Sequence, residues 1–249
     1  MTDRLGLAAF QDCDRCGNFR AGPAEVCCAC ATRELIRPGP GSCGVCAQRL
    51  PADGACHNEL CGSSRRRIRK IHAIGYQSGP LRGAILSYKY RGARGLSAVF
   101  GRLLLGWLEE RMSADAPGLI VANPSFVGPG GQEFAHTEAV LAAAAAADPP
   151  GKWAFDVAAP PAIIKTMPTL RSADAQAWSK RAVAHELRLA LRVTEPSRTE
   201  GKFVLVYDDV CTTGTQLDAV AACLIDHGQA ARVEGVVLAR APWRTGRYS

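Results

Sequence analysis

The sequence lacks the two features that would place it in a membrane or send it across one. No window of the 249 residues stays apolar over the ~20 positions that a membrane-spanning helix needs. The first residues, MTDRLGLAAFQDCDRCGNF, include an acid at Asp3 and no long apolar region of the signal-peptide kind. We therefore expect a cytoplasmic protein without a membrane span.

Two common nucleotide-binding signatures are also missing. No Gly-x-Gly-x-x-Gly follows a strand pattern, which disfavours a dinucleotide-binding fold. No Gly-Lys-Ser or Gly-Lys-Thr occurs, which disfavours a P-loop. A nucleotide or phosphate site in this chain must therefore be built in another way.

Acidic residues are scarce between Arg65 and Arg111, where eleven basic residues accompany two acids. This block carries +9, whereas the whole chain carries +7. Such an imbalance indicates an anionic partner, namely nucleic acid, a phosphorylated ligand or an acidic surface. A solvated basic face is the alternative. The segment RRRIRK, residues 65–70, has no interleaved aromatic residue; we interpret it as a basic linker and a candidate nucleic-acid contact.

Cysteine, by contrast, is abundant, and nine of the eleven cysteines lie before residue 62. In a cytosolic chain, dense pairs at short spacing indicate metal binding rather than disulfides. Two Cys-x-x-Cys turns supply the four thiolates of a tetrahedral zinc ion and leave no position for water, which is typical of a structural site. Taken in order, the pairs predict two zinc ions, one held by Cys13, Cys16, Cys27 and Cys30, the other by Cys43, Cys46, Cys56 and Cys61.

The spacing leaves other ligand sets open. The same cysteines allow an interleaved pairing, His57 can replace Cys56, and Cys28 is interpreted as a spare thiol. A redox role is disfavoured because four clusters exceed the need of one redox pair. About sixty residues with few large apolar side chains cannot form a sufficient core, so zinc is expected to supply folding energy. We place this small domain at residues 1–64 and a second domain at 65–249.

The second domain alternates between strand and helix patterns. Apolar residues at helical spacing, and apolar runs without alternation, predict an α/β domain with a parallel sheet flanked by helices. The predicted strands cover residues 71–76, 119–122, 203–206 and 232–239, with a further short strand within 151–161. The predicted helices cover 80–88, 96–111, 134–148 and 217–225, with a long helix from Asp174 to Leu191. Ligands of such sheets bind beyond the carboxyl ends of the strands.

The stretch KFVLVYDDVCTTGTQL, residues 202–217, combines a buried strand with two acids and a Thr-Thr-Gly turn that opens a helix. Free backbone N–H groups and the helix dipole make such a turn a phosphate site. The carboxylates of Asp208 and Asp209 are suited to accept hydrogen bonds from ribose hydroxyls. An ordinary helix cap explains one such residue but not both acids and the turn. The stretch therefore predicts a ribose 5-phosphate site.

The residues VLVYDDVCTTGTQL resemble the phosphoribosyl-pyrophosphate (PRPP) loop of type I phosphoribosyltransferases. Together with an N-terminal double zinc ribbon and the KYRG segment at 89–92, they make nearly the whole chain similar to the ComF family, bacterial proteins associated with competence for DNA uptake. This resemblance implies a type I phosphoribosyltransferase-like sheet, PRPP as ligand, and Mg²⁺ bound mainly through the ligand's own oxygens. It implies that the PRPP contacts are Asp208 and Asp209 for the ribose, and Cys211, Thr212, Thr213, Gly214 and Thr215 for the 5-phosphate.

The sequence departs from the family pattern at three places. Gln216 stands where the family usually has threonine, and Tyr207 stands at a small aliphatic position. The loop NPSFVGPGGQEF after the strand at 119–122 contains no Lys or Arg, although a pyrophosphate leaving group needs cationic partners. The candidates elsewhere in the chain are Lys89, Arg91, Lys165 and Arg171.

Three functions follow from this reading. The first is the Mg²⁺-dependent transfer of phosphoribose from PRPP to a nitrogen acceptor, for which the sequence identifies no general base. The second is a non-catalytic zinc-ribbon protein of DNA uptake that binds single-stranded DNA or a partner protein. The third is a zinc-ribbon DNA binder whose α/β domain is only a support.

Overall fold

The computed structural model describes residues 35–148, 151–169 and 180–242. The strands, in chain order, are β1 (Ile71–Tyr76), β2 (Leu119–Ala122), β3 (Ile163–Lys165), β4 (Leu191–Val193), β5 (Phe203–Cys211) and β6 (Arg232–Arg240). The helices are α1 (Glu59–Gly62), α2 (Gly79–Tyr90), α3 (Leu96–Arg111), α4 (His136–Ala146), α5 (Lys180–Ala190) and α6 (Thr215–Asp226), with a 3₁₀ turn at Pro196–Arg198.

A parallel four-stranded sheet forms the centre of the fold, in the order β1–β6–β5–β2. Strands β5 and β6 are buried along almost their whole length because helices cover both faces. Leu205 and Tyr207 pack in the core with α2, α3 and α4, whereas Val204 and Val206 pack in the core with α6 and the β3–β4 ribbon. The predicted parallel α/β architecture is confirmed.

Most element positions agree with the sequence patterns, and the exceptions have physical reasons. The strand predicted for 203–206 continues to Cys211, because its pairing with β6 persists through the two acids. Residues 151–161 form no strand beyond a single bridge between Phe155 and Ile120. The antiparallel pair β3–β4 escaped the patterns because three-residue strands carry no periodicity. Asp174, the expected cap of the long helix, lies outside the described residues.

The cysteine segment, residues 35–64, lies against the sheet rather than apart from it. The Ile71 N–H donates to the Val45 carbonyl at 2.7 Å, and the Tyr76 N–H donates to the Ile36 carbonyl at 2.8 Å. Ala47 is buried in the core that also holds Ile71. This packing brings the cysteines of the segment close to the carboxyl ends of β5 and β6.

None of the helices in the described ranges combines the length and the apolar composition that crossing a bilayer requires.

Candidate functional site

The paired acids lie where β5 extends past its neighbour. Strand β2 ends at Ala122, which pairs with Tyr207. The last hydrogen bond between the two strands is donated by the Asn123 N–H to the Tyr207 carbonyl, at 2.7 Å. Asp208 and Asp209 follow at once; Asp208 still pairs with Val237 of β6. The acids are thus inside β5, not after it as predicted, but they lie beyond the carboxyl end of β2.

Lys89 forms an ion pair with one of the two carboxylates, that of Asp209. The Lys89 Nζ atom, from the last turn of α2, lies 2.8 Å from Asp209 Oδ2 and 3.0 Å from Oδ1. The Asp209 N–H donates to Asp208 Oδ1 at 2.9 Å. Burial, and then the charge of Asp209, raise the pKa of Asp208 to about 7, against the opposing effects of Lys89 and Asn123. The two residues are 7% and 6% exposed, so this acid pair is nearly dry.

A cleft of about 540 Å³, counted with its open mouth, lies in front of these acids. Polar side chains line most of it, from the end of α2, the segment after β2, the start of α4 and the end of β3. Lys89 and Lys165 are the two cations among its described lining residues, and burial lowers the pKa of Lys165. Of the other candidate cations, Arg91 is exposed and outside this lining, and Arg171 lies outside the described residues.

The loop after β2, which contains no Lys or Arg, is held by an acid at the start of α4. Glu138 Oε1 accepts the Ser125 N–H at 2.7 Å, and Oε2 accepts the hydroxyls of Ser125 and Thr137, both at 2.9 Å. The Thr137 hydroxyl also approaches the Asn123 carbonyl at 2.7 Å. The loop is therefore held in place without presenting a cation to the cleft.

His136 also lines the cleft, and the sequence analysis did not identify it. Its Nδ1 lies 2.6 Å from Gln132 Oε1, and its ring packs on Phe134 with centroids 4.0 Å apart. Burial, and then the charge of Lys89, lower the pKa of His136. The available signal was a histidine following a glycine-rich loop at a helix start, which is too common to single out.

A second, smaller cavity of about 230 Å³ lies over the turn between β5 and α6. It is lined by Asp208 and by a continuous run from Val210 to Leu217. All five predicted phosphate contacts, residues 211–215, are in this run. The Thr213 and Thr215 hydroxyl oxygens lie 2.9 Å apart. Asp208, Val210 and Gln216 line both cavities, so the acids and the turn face adjoining spaces.

Only glycine fits the centre of the turn. Gly214 caps α6 with a φ of +85°, in the left-handed region. A Cβ atom there would lie 2.6 Å from Ile71 Cδ1 and 2.9 Å from Leu60 Cδ2. The turn is thus packed from behind by the first strand and by the cysteine segment.

Four thiols of the cysteine segment form one cluster. The sulfur atoms of Cys43, Cys46, Cys56 and Cys61 all lie within 4.8 Å of one another. Cys43 and Cys61 are 3.8 Å apart, and Cys46 and Cys56 are 3.7 Å apart. A zinc–sulfur distance of ~2.3 Å in tetrahedral geometry requires sulfur–sulfur edges of about 3.8 Å. The cluster could therefore hold one zinc ion.

The thiol cluster contains Cys56 and not His57, whose Nε2 lies 3.2 Å from Asp53 Oδ2 at the surface. The sequential pairing of the second site is thus the one that the geometry fits. Cys13, Cys16, Cys27 and Cys30, the predicted ligands of the other zinc, lie outside the described residues, as does Cys28.

A buried arginine joins the thiol cluster to the turn. The Arg240 side chain, at the end of β6, is fully buried. Its Nε donates to the Cys46 carbonyl at 2.8 Å, and its Nη1 donates to the carbonyls of Cys211, at 2.7 Å, and Thr212. On the same side of the turn, Asn58 Nδ2 donates to the Thr213 carbonyl at 2.9 Å. Sequence reasoning missed both residues.

The basic block divides into paired and exposed residues. Arg67 pairs with Asp226, and Arg69 lies 3.8 Å from Glu234. Arg66 donates to the carbonyls of Cys61 and Ile68. Among the described residues of this block, five exposed basic side chains have no acidic partner: Arg65, Lys70, Arg82, Arg91 and Arg94, the last of which lies over the Phe134 ring.

No protein-family model matches this chain, and no curated protein matches it.

Proposed function

We propose that this chain binds PRPP or a related ribose 5-phosphate ligand, with Mg²⁺, across the two adjoining cavities at the carboxyl end of β5. The observation that carries the proposal is their adjacency: a dry acid pair faces one space, a glycine turn faces the next, and Asp208 and Gln216 line both. A ligand with vicinal hydroxyls and a phosphate uses both spaces together. The same features support membership in the ComF family and a type I phosphoribosyltransferase-like fold.

Each half of the site suits one half of such a ligand. The free N–H groups at the start of α6, with the Thr213 and Thr215 hydroxyls, suit the dianionic 5-phosphate. The carboxylates of Asp208 and Asp209 suit the ribose hydroxyls as acceptors, and Asp209 forms an ion pair with Lys89. Carboxylate oxygens are also ligands that Mg²⁺ accepts, and that ion would neutralise the charge of the pyrophosphate.

The proposed reaction breaks the bond between the ribose C1 and the pyrophosphate oxygen and forms a bond from C1 to a nitrogen acceptor. The protein's part is to position both reactants and to balance the leaving charge. Lys89 and Lys165 are the described cations that line the cleft. The zinc of the Cys43, Cys46, Cys56 and Cys61 cluster has a structural role in this proposal, and the second predicted zinc remains part of it.

Calorimetry with ribose 5-phosphate and with PRPP, each with Mg²⁺, tests the binding site. We expect both ligands to bind, and the variant Asp208→Asn/Asp209→Asn to weaken binding by at least about tenfold through lost charge-assisted hydrogen bonds. Asp115→Asn, which changes an exposed acid distant in sequence, is the matched control. Unchanged binding in the double variant would show that the acids are not the ribose contacts.

Pyrophosphate release, measured with a panel of nucleobases and with ammonia, tests catalysis. Release that depends on the acceptor supports the transferase. Tight binding of PRPP without release under any condition supports a protein that senses or scaffolds through the same site.

A second candidate function is the binding of single-stranded DNA, favoured by the five exposed basic residues of the block without acidic partners. Each phosphate contact in a single strand contributes about 0.7 to the slope of log affinity against log salt. If these side chains bind DNA, replacing Arg65, Lys70, Arg82, Arg91 and Arg94 with glutamine should lower the magnitude of that slope by up to ~3.5. Arg192→Gln, which changes an exposed arginine of β4 outside the basic block, is the control. An unchanged slope would remove this face as the DNA contact.

A further inference from the structure

Three carbonyl oxygens of the phosphate-binding turn are held from the side of the cysteine segment. Arg240 donates to those of Cys211 and Thr212, and Asn58 donates to that of Thr213. The same guanidinium group donates to the Cys46 carbonyl and places its Nη2 3.7 Å from Cys46 Sγ. One buried side chain thus contacts both the thiol cluster and the turn.

These contacts fix the direction of the N–H groups on the opposite side. In a planar trans peptide, the C=O of one residue and the N–H of the next point in opposite directions. Holding the carbonyls of residues 211, 212 and 213 toward the cysteine segment therefore turns the N–H groups of Thr212, Thr213 and Gly214 away from it. Within the described residues, no hydrogen bond uses these three N–H groups. They are the donors that a phosphate needs.

The position of Arg240 depends in turn on the thiol cluster. A guanidinium group always carries its charge, and a buried charge needs a compensating partner. The groups within hydrogen-bonding reach of Arg240 in the described chain are carbonyls, together with Cys46 Sγ. Zinc with four thiolates carries two excess negative charges, and cationic groups beside such a centre orient it and its surroundings. Loss of the metal removes that compensation.

We infer that Arg240 and Asn58 are positioning residues that make phosphate binding by the turn depend on the metal held by the Cys43, Cys46, Cys56 and Cys61 cluster. The inference rests on the proposed binding of a ribose 5-phosphate at this turn. Because coupling between two binding sites is reciprocal, the phosphate ligand must also strengthen the retention of zinc by the cluster.

The coupling is measured as zinc release to a chelator with and without saturating ribose 5-phosphate. In the native sequence, we expect the ligand to lower zinc release severalfold, in the ~5–150-fold range of typical coupling. Arg240→Met should still bind zinc, but the effect of the ligand on its release should fall toward none. Arg232→Met, an arginine at the other end of β6, is the matched control and should keep the full effect.

Asn58→Asp provides a milder variant in case Arg240→Met does not fold. Aspartate retains the acceptor that caps α1 on the Leu60 N–H but loses the donor to the Thr213 carbonyl. We expect a reduced but measurable effect of the ligand. If Arg240 and Asn58 have only a structural role, their variants should be less stable, but the ratio of zinc release with ligand to zinc release without ligand should stay unchanged. An unchanged ratio in both variants would overturn the coupling.

Amide hydrogen exchange separates this inference from the proposed function. If calorimetry finds no ribose 5-phosphate binding by the zinc-loaded protein, the proposed function fails. The coupling is then judged on peptides that cover residues 211–215. Faster exchange there after zinc removal, and in zinc-loaded Arg240→Met, supports it. Exchange that zinc removal and Arg240→Met leave unchanged overturns it, whatever the protein binds.

Discussion

The cysteine segment and the parallel sheet are held together by different forces, although they share an interface. Within the described residues 35–64, the buried hydrophobic side chains are those of Cys46 and Ala47. In β6, by contrast, eight consecutive residues are buried. Burial of apolar surface stabilises the sheet, whereas the segment depends on four thiols and on hydrogen bonds to β1. The candidate phosphate turn lies where these two regions meet. A change in the cysteine segment and a change in the sheet should therefore affect the turn differently.

Removal of the metal should have the largest effect, and it should act on the cysteine segment rather than on the sheet. Binding of a structural zinc contributes on the order of 10 kcal/mol to the folding of such a site. We expect a strong chelator to increase amide exchange throughout 35–64 while β5 and β6 keep their protection, measured by mass spectrometry on the same sample. Protection that persists across residues 43–61 after complete zinc loss would show that the segment does not depend on the ion.

A cavity in the sheet core should have the converse effect. Leu205 is fully buried in the core formed with α3 and α4, and Leu205→Ala should lower the free energy of unfolding by about 2–5 kcal/mol. Denaturant titration gives this value, while zinc content measured before unfolding should stay unchanged. A variant that lost zinc at native conditions would contradict the separate origins of stability.

Gly214→Ala tests the junction of the two regions. The positive φ and the close approach of Ile71 and Leu60 should together destabilise the protein by about 2 kcal/mol and weaken phosphate binding. The double variant Gly214→Ala/Leu60→Ala removes one of the two clashes but keeps the backbone strain. We therefore expect partial recovery in thermal unfolding, and complete recovery would assign the whole cost to packing.

Asp208→Asn should change stability by an amount that depends on pH. Burial and the charge of Asp209 raise the pKa of Asp208 from about 4 in an unfolded chain to about 7 in the folded protein. The protonated form is favoured by folding, so native stability falls as pH rises through this interval. Asparagine at this position does not titrate, so the variant does not lose stability in this way as the pH rises. We expect the unliganded variant to gain up to about 4 kcal/mol at pH 8 and nothing below about pH 4, by denaturant titration at each pH. A gain independent of pH would refute the raised pKa.

Sequence patterns predicted the sheet well because parallel strands covered on both faces are continuous apolar runs. They misjudged the end of β5 because two adjacent acids look like the end of a strand, yet β6 continues to pair with them. The order of the cysteine pairs predicted the cluster of Cys43, Cys46, Cys56 and Cys61, although the spacing alone left an interleaved pairing and His57 open.

The rest of the candidate site depends on contacts that no local pattern carries. The KYRG segment marked Lys89 as one of several cations, but its partner Asp209 lies 120 residues away. Arg240 resembles an ordinary arginine after a strand, and its burial follows only from the packing of the cysteine segment over the end of β6. His136 gave no distinctive signal at all.

The placement of β6 has a consequence for how the chain is made. It is synthesised after every other strand of the described chain, yet it lies between β1 and β5 in the sheet. Until β6 has left the ribosome, β1 has no sheet partner and Arg240 cannot reach Cys46 or the turn. A growing chain therefore cannot assemble the complete site before β6 is made. A product of translation that stops before β6 should expose the edges of β1 and β5 that β6 covers in the complete sheet.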